Sequence, residues 1–323
     1  MEKIKVYTHH DLDGVGCAIL AKIAFADDVV DIEYCGYDDI NEKVSEFFES
    51  GKDRDYYRIY ITDLSIRESL ADVIDRYGSG KWTLLDHHAT ATGLNKYGWC
   101  KINVFADDVY YGELKTCGTE LFYDSLLCDG YFDAMSDSTK ETLWTFVQMV
   151  RDWDTWRWKD LGEEGERSKW LNDLLYIYGR EEFIKWVMNL VRDDVGGVEF
   201  SETDLQLLAN SQRSLDEFVC RKNNELIVFN DRFGKLCGVV FAERYFSELG
   251  NRLSELHPEL DYIAMIDVAG RKVSYRTVKD DIDLGKEIAH AYGGGGHAKA
   301  AGSTFGEEVW FDIFAHLFTT TAL

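Results

Sequence analysis

The chain has 323 residues, of which 46% are hydrophobic, and a formal net charge of −24. This length favours two domains, each large enough to bury its own core, and the hydrophobic content excludes a disordered chain. The strong negative charge disfavours a protein that wraps long nucleic acid, because contact with many phosphates needs a basic face. An anionic partner should therefore be short, or be bound through metal ions.

The N-terminal and cysteine patterns indicate a cellular location. No apolar run approaches the roughly 20 residues that span a bilayer, and the start "MEKIKVYTHH" lacks the apolar core of a signal peptide. The 7 cysteines are scattered without a C-x-x-C pair, which is typical of free thiols in a reducing compartment. We therefore predict a soluble, cytoplasmic protein with no membrane partner.

The first part of the chain alternates strand and helix patterns. A β-type run at 3–8 is followed by apolar residues at helical spacing, and further β-type runs at 57–65 and 81–88 enclose the helical segment "ESLADVIDRYG". This order is typical of a parallel sheet, in which ligands bind at the carboxyl ends of the strands. All three runs are followed by or end in aspartate or histidine, so we expect these side chains at one edge of the sheet.

The pattern changes at about Leu226. Before it, helical patterns dominate, and Ser201 with Asp204 resembles a capping box at the start of a long helix. After it, four apolar strands are interspersed with helical segments. We therefore predict an α/β fold in three parts, namely an N-terminal parallel-sheet domain at 1–195, a helical connector at 196–225 and a smaller α+β domain at 226–323.

The segment "THHDLDGVG" places His9, Asp11 and Asp13 at alternate positions directly after the first strand. In an extended chain residues two apart face the same side, so these three would point together while His10 points away. One imidazole and two carboxylates suit a divalent metal such as manganese, iron or zinc. A solvated acidic turn is the structural alternative.

Two further strand ends carry candidate ligands. Asp63 follows the strand in "ITDLS", where an aspartate that caps the next helix is the commoner arrangement. Asp86, His87 and His88 follow the strand in "LLDHH", and two adjacent histidines after a buried strand have few structural uses. A neighbouring aspartate is well suited to orient a metal-bound histidine.

A fourth acidic segment, "VRDWDTWRW", contains Asp152 and Asp154 among three tryptophans. Either carboxylate could bind metal or serve as a local hydrogen-bonding group. The residue pattern by itself leaves both readings open for both positions.

The segment "YGGGGHAKAAG" contains four consecutive glycines. Such a run is costly in conformational entropy, so something must approach its backbone closely or use its unhindered N–H groups. A tight turn is the structural alternative. The other interpretation is an anion or phosphate pocket. It would be made by the backbone of Gly294, Gly295 and Gly296 together with the side chains of Arg276 and His297.

Taken together, these motifs resemble those of a known family. "HHDLDG", "ITDLS", "LDHH" and "DWDT" are similar, in this order, to motifs I to IV of the DHH phosphoesterase superfamily, and "SYRT" followed by "GGGGHAKAAG" is similar to the signature of its DHHA1 domain. The resemblance covers nearly the whole chain. Within the superfamily, "THHDLDGVGCAILAK", "DHHATA" and "RDWDTW" most closely resemble the nanoRNase B type of oligoribonuclease.

The resemblance implies a hydrolase with two divalent cations, for which Mn²⁺ is expected and Mg²⁺ or Co²⁺ are alternatives. The fourth motif of the family has an aspartate followed by threonine, which favours Asp154 over Asp152. The metal ligands implied for this chain are His9 and Asp11 for one cation, Asp13, His87 and Asp154 for the other, and Asp63 as the bridge.

The catalytic roles also follow from the resemblance. A water beside Asp63, activated by both cations, would attack the phosphorus. His88 would contact the scissile phosphate or protonate the leaving oxygen, and Asp86 would orient the histidines. Arg276, the glycine loop and His297 would hold a neighbouring phosphate or a terminal nucleotide across an interdomain cleft that contains the active site.

The implied function is the hydrolysis of short single-stranded RNA or dinucleotides by a 3′-to-5′ exonuclease that releases nucleoside monophosphates. No long duplex nucleic acid is expected as a partner, and a homodimer is left open. Two alternatives lie within the superfamily, a 3′-phosphoadenosine 5′-phosphate phosphatase and a cyclic or linear dinucleotide phosphodiesterase. A nucleotide-binding regulator without turnover is the alternative from another class.

Overall fold

The computed structural model describes residues 1–78, 80–108 and 112–318. The chain divides into two units, of which the first ends at Leu208 and the second begins at Ala209. This boundary falls inside a long helix, and the three-part division made from the sequence stays a prediction. Within the described ranges, none of the helices is both long enough and apolar enough to cross a membrane.

A parallel sheet forms the centre of the first unit. Its strands are β1 (Lys3–Thr8), β2 (Val29–Tyr34), β3 (Arg58–Thr62), β4 (Trp82–Asp86) and β5 (Cys100–Ile102). They are ordered β2-β1-β3-β4-β5, and all pair in parallel, which confirms the predicted sheet. The sequence patterns miss β2 and β5, because β2 is only partly buried and β5 has 3 residues.

Helices cover both faces of this sheet. Side chains alternate along each strand, so that Val6 packs in one core and Tyr7 in the other. The first core also takes residues from α1 (Leu12–Ala24), α4 (Gly118–Cys128), α5 (Asp137–Asp154), α6 (Glu163–Tyr178) and α7 (Arg180–Asp193). The second core takes residues from α2 (Ile40–Glu49) and α3 (Glu68–Tyr77), and a hairpin of β6 (Phe105–Asp108) and β7 (Gly112–Lys115) lies between β5 and α4 in the chain.

The long helix α8 (Glu202–Asn224) begins with the predicted capping box. The Ser201 N–H donates to Asp204 Oδ2 at 2.6 Å, and the Asp204 N–H donates to Ser201 Oγ at 3.2 Å. Each residue thereby satisfies a backbone donor of the other, which is how this motif starts a helix.

A mixed sheet forms the second unit, which confirms the predicted smaller α+β fold. Its strands lie in the order β12-β13-β11-β10-β9-β8, in which β9 and β10 are parallel and the other pairs antiparallel. The helix α9 (Phe246–Leu256) connects the two parallel strands and packs on one face. The strands are β8 (Ile227–Asn230), β9 (Leu236–Phe241), β10 (Tyr262–Asp267), β11 (Lys272–Arg276), β12 (Gly295–Gly296) and β13 (Ala300–Thr304), and α10 (Glu307–Phe318) follows them.

Candidate metal centre

The carboxyl edge of the parallel sheet brings the predicted acids and histidines together. The loops and helix starts that follow β1, β3 and β4 supply most of them, and the end of α5 supplies Asp154. Within each of three groups, the potential ligand atoms lie within 4.8 Å of one another. The groups are His9 with Asp11 and Asp63, Asp13 with His87 and Asp154, and Asp63 with Asp86, His87 and His88.

Asp63 lies between the first two groups. Its Oδ1 is 3.3 Å from His87 Nε2, and its Oδ2 is 4.0 Å from His9 Nδ1. The alternative that Asp63 caps the next helix is wrong, because Arg67 is the residue at the N-terminal cap of α3. Asp63 therefore points one oxygen toward each group.

This position of Asp63 is energetically costly. The residue is 2% exposed, and its Oδ2 has no hydrogen-bond partner among the described residues. Burial, followed by the carboxylates of Asp13 and Asp11, raises the pKa of Asp63 well above its ordinary value. Its backbone also has a φ of 58°, a left-handed conformation that costs a residue other than glycine about 1–3 kcal/mol. Such an outlier points to a functional role.

The extended backbone that follows β1 ends at Asp11, because α1 begins at the next residue. Asp11 is the N-terminal cap of α1, where its Oδ1 accepts the Gly14 N–H at 3.1 Å, and its Oδ2 accepts from His9 Nδ1 at 2.7 Å. Asp13 lies in the first turn of that helix. The prediction that the three ligands alternate along an extended chain is therefore wrong, because a helix starts almost immediately after the strand.

Asp13 is held by a second helix start. Its two carboxylate oxygens accept the backbone N–H groups of Gly118 at 2.6 Å and Thr119 at 2.7 Å, at the beginning of α4. A Cβ on Gly118 would lie 2.6 Å from the Cβ of Asp63 and 3.0 Å from Asp13 Oδ2. Glycine is therefore required at this position. Sequence reasoning missed Gly118, because a single glycine before a helical pattern is not distinctive.

The two acids of the tryptophan-rich segment have different surroundings. Asp154 Oδ2 lies 3.6 Å from His87 Nε2. Burial, followed by neighbouring carboxylates of which Asp13 is the largest influence, raises the pKa of Asp154 to about 8. Asp152 instead accepts from Arg157 Nη1 at 3.0 Å. The structure thus brings Asp154 to the other acids and pairs Asp152 with arginine.

His88 belongs to a chain of hydrogen bonds. Its Nδ1 donates to Asp86 Oδ1 at 2.7 Å, and Ser65 Oγ donates to the other carboxylate oxygen. Burial opposes ionisation of Asp86, but the bond with His88 holds its pKa below the ordinary value, and the same bond raises the pKa of His88. The Tyr37 hydroxyl lies 2.9 Å from His88 Nε2. Neither Ser65 nor Tyr37 carries a spacing signal in the sequence.

His10 lies apart from these groups. Its ring stacks against Tyr34, with centroids 6.3 Å apart and an interplanar angle of 22°. The guanidinium carbon of Arg180 lies 3.7 Å from the centroid of the same tyrosine. His10 belongs to none of the three ligand groups found among the described residues.

In the second unit, Arg276 and His297 meet at the same strand. Arg276 pairs with Ala300 across β11 and β13, and the His297 N–H donates to the carbonyl oxygen of Ala300 at 2.8 Å. The guanidinium of Arg276 donates to Ser247 Oγ at 3.0 Å, while His297 is exposed. Backbone pairing therefore places the two predicted phosphate-binding residues near each other.

The predicted glycine loop packs against β13. A Cβ on Gly294 would lie 2.0 Å from the carbonyl oxygen of Gly302, and one on Gly296 would lie 2.6 Å from the Cα of Ala301. Gly296 also has a φ of 139°. By contrast, a Cβ on Gly295 would meet no described atom within 4 Å. Close approach of the strand explains two of the glycines, and Gly295 is left without such a reason.

Solved structures of RecJ proteins share this fold. A crystal structure of exonuclease RecJ bound to manganese aligns over 98% of this chain and 89% of that chain, with a TM-score of 0.57 and 16% identity. RecJ in complex with Mn²⁺ from Thermus thermophilus aligns over 98% and 51%, with a TM-score of 0.52 and 15% identity. These likenesses show that the fold is shared.

The sequence comparison shows the family. Oligoribonuclease NrnB of Bacillus subtilis (strain 168) is 37% identical over 318 residues, which are 97% of this chain and 75% of the relative. No family model matches the chain. The chain belongs to the family of oligoribonuclease NrnB, within the DHH/DHHA1 phosphoesterases, and is a hydrolase. The resemblance inferred from the motifs is thus confirmed.

Proposed function

We propose that this protein is a cytoplasmic, metal-dependent phosphodiesterase that hydrolyses short single-stranded oligoribonucleotides from the 3′ end and releases nucleoside monophosphates. The observation that carries the proposal is the meeting of two ligand groups at the buried carboxylate of Asp63. The relationship to an oligoribonuclease supports the substrate class. The polarity of cleavage rests on the motif resemblance.

The donor set fits divalent cations. Buried carboxylates that repel one another are stable only when neutralised by protons or by cations. Divalent cations held by these residues would neutralise the repulsion between the carboxylates. Mixed imidazole and carboxylate donors suit Mn²⁺, and the carboxylates also suit Mg²⁺. The residues proposed to hold the two cations are His9 and Asp11 on one side, Asp13, His87 and Asp154 on the other, and Asp63 between them.

Divalent cations bound here would lower the pKa of a water molecule and neutralise charge on the phosphate. The remaining steps belong to side chains of this protein. Asp86 holds Nδ1 of His88, so that Nε2 is the nitrogen available to contact the scissile phosphate or to protonate the leaving oxygen. Tyr37 contacts that nitrogen and is 60% exposed, so it can turn away when a substrate enters.

The second unit is proposed to bind a further phosphate or a terminal nucleotide. Arg276 offers a guanidinium, and Gly295, at which a Cβ would meet no described atom within 4 Å, leaves room for a phosphate to approach the loop near His297. The net charge of −24 supports short substrates, because an acidic surface repels long polyanions while a few phosphates can be held by local cations. A homodimer stays an open proposal.

The test is to offer end-labelled RNA, from dinucleotides to about 24 nucleotides, with Mn²⁺ and to compare kcat/KM. We expect the highest values for the shortest RNAs. Equal turnover of long structured RNA contradicts the substrate class. Faster hydrolysis of 3′-phosphoadenosine 5′-phosphate or of cyclic dinucleotides supports those alternative substrates. Nucleotide binding without turnover indicates a regulator.

Two variants test the metal centre itself. Asp63→Asn and His87→Ala should each abolish hydrolysis and lower Mn²⁺ affinity in calorimetric titration, because each removes a proposed ligand. The matched control is His257→Ala, which changes a histidine outside the three ligand groups. Full activity of a folded Asp63→Asn variant is the result that contradicts the centre.

A further inference from the structure

A cluster of aromatic and cationic side chains lies beside the candidate metal centre in the first unit. It consists of His10, Tyr34 and Arg180, which we call the cationic stack. Tyr34 contacts both of the others, since its ring stacks with that of His10 and the guanidinium carbon of Arg180 lies 3.7 Å from its centroid. The ring of His10 is 5.8 Å from that of His9, one of the proposed metal ligands. The stack therefore extends outward from the metal centre.

The charge of Arg180 is only weakly neutralised. Its one ion pair among the described residues joins Nε to Glu181 Oε1 at 3.7 Å, and the glutamate side chain is 71% exposed. By contrast, Arg151 Nη1 lies 2.7 Å from Glu120 Oε1 inside the core. A guanidinium without a close carboxylate is unexpected next to a metal centre in a chain with a net charge of −24. Such a group is available to an anionic ligand.

The geometry of the stack prepares Arg180 for binding. One face of its guanidinium rests on Tyr34 while its side chain remains 40% exposed, so its N–H groups can point toward solvent. Stacking on an aromatic ring orients a guanidinium before it binds and lowers the entropy lost when it does. Arg180 is also the first residue of α7, where the helix dipole adds to the attraction for an anion.

All three residues belong to elements of one unit. His10 follows β1, Tyr34 ends β2 and Arg180 starts α7, so the stack lies along the same carboxyl edge of the sheet as the metal ligands. A short nucleotide whose scissile phosphate is at the metal centre would carry its next groups along this edge. The exposed side chain of Tyr37, whose ring is 5.1 Å from that of His9, adds an aromatic surface there.

We propose that the cationic stack binds a second phosphate of the oligonucleotide, distinct from the scissile phosphate, through bidentate hydrogen bonds from Arg180. The rings of His10 and Tyr37 offer stacking surfaces to the adjoining nucleoside, as aromatic side chains do in proteins that bind single strands. This inference rests on the proposed function. It assigns recognition of a neighbouring nucleotide to the first unit, in addition to any phosphate bound by the second.

The test varies Arg180 and the number of substrate phosphates together. ApA has one phosphate, whereas pApA and ApAp each have one more, at opposite ends. The preference is measured as kcat/KM for a two-phosphate substrate divided by kcat/KM for ApA. We expect the wild type to prefer at least one of the two-phosphate substrates. Arg180→Gln should reduce that preference by about five- to twentyfold, mainly through a higher KM. Arg180→Lys, which keeps the charge but loses the planar stack, should restore part of it.

Arg192→Gln is the matched control, because Arg192 lies on the same helix with a side chain that is 71% exposed. It should leave the preference as in the wild type. The inference is overturned if Arg180→Gln keeps the wild-type preference for both two-phosphate substrates. It is also overturned if Arg180→Gln lowers kcat/KM for ApA as much as for the two-phosphate substrates. If the wild type hydrolyses no diester with Mn²⁺, the proposed function fails. Calorimetric titration of the same three nucleotides into Arg180→Gln and Arg192→Gln then tests the inference separately. Weaker binding of the two-phosphate nucleotides to Arg180→Gln alone supports it, and equal binding to the two variants overturns it.

Discussion

The two candidate sites differ in how their polar groups are satisfied. At the metal centre of the first unit, carboxylates are buried close together, Asp63 has an unpartnered oxygen, and the pKa of Asp154 is raised to about 8. In the second unit, the guanidinium of Arg276 donates to Ser247, the backbone N–H of His297 donates to Ala300, and the strand behind the loop explains Gly294 and Gly296. Only the first site shows an arrangement that is unfavourable without a ligand.

This difference teaches which residue patterns indicate function most directly. A cluster of buried acids destabilises the fold unless something neutralises it, so its presence requires a functional explanation. A glycine run has a structural explanation wherever a strand passes within contact distance. Within the loop, Gly295 is the position at which packing and ligand binding can be separated.

The largest effect is expected at the fourth motif. Asp154→Asn should lower kcat by more than about 100-fold, because loss of a direct ligand should exceed the 10- to 100-fold effect of an outer partner. Asp152→Asn, the matched control, removes a carboxylate that pairs with Arg157 and should retain activity within a few fold. Mn²⁺-dependent hydrolysis of bis-p-nitrophenyl phosphate measures both. The reverse ranking would assign the ligand to Asp152.

A smaller loss is expected when the backbone beside the acids is crowded. Gly118→Ala should reduce activity by about tenfold or more and destabilise the fold by about 1–3 kcal/mol, because its Cβ would lie 2.6 Å from that of Asp63. Gly98→Ala is the control, since no described atom lies within 4 Å of its Cβ. Chemical denaturation and kcat/KM are the two measurements. Wild-type values for Gly118→Ala would show that the close approach is not needed.

Residues of the second unit should affect substrate binding rather than the chemical step. Arg276→Ala is expected to raise KM for a dinucleotide about tenfold with little change in kcat, as a lost charge-assisted hydrogen bond does. Arg252→Ala, on α9 with its partner Asp216, is the control. A fall in kcat without a change in KM would place Arg276 in the chemical step instead.

The glycine loop offers a paired comparison of stability and affinity. Gly294→Ala should lower the melting temperature, because its Cβ would meet the Gly302 carbonyl oxygen at 2.0 Å. Gly295→Ala should leave the melting temperature within about a degree and weaken nucleotide binding, provided that the loop backbone contacts phosphate. Unchanged affinity in Gly295→Ala would leave the loop with a structural role alone.

The smallest effect is a change in stability with pH. Because burial raises the pKa of Asp154 to about 8, the folded protein keeps a proton that the unfolded chain releases near pH 4. The free energy of unfolding of the metal-free protein should therefore decrease as the pH rises from about 4 to about 8. Mn²⁺ binding needs that proton to leave, so stabilisation by Mn²⁺ should grow over the same range.

Thermal melts with chelator and with Mn²⁺, at about pH 6 and about pH 8, test this linkage. The rise in Tm caused by Mn²⁺ should be a few degrees larger at the higher pH. Asp154→Asn should flatten the pH dependence of the metal-free protein. A Mn²⁺ effect that is the same at both values contradicts the linkage.

Much of the fold was predictable from local patterns. The alternation of strand and helix gave the parallel sheet, and the capping box at Ser201 gave the start of α8. Short or half-exposed strands were missed, because a run such as that of β2 lacks the continuous apolar pattern of a buried strand. The conformation after β1 was predicted wrongly, since Asp11 both follows a strand and caps a helix.

The amino-acid sequence by itself determined the chemical types at the site, namely imidazoles and carboxylates that follow strands of a parallel sheet and therefore meet at one edge. It did not determine which atoms face one another. Tertiary structure alone separated the surroundings of Asp154 from those of Asp152, placed Gly118 against Asp63, and brought Arg180 over Tyr34. These contacts join residues that are distant in the chain or differ only in side-chain direction, and local periodicity carries no information about either.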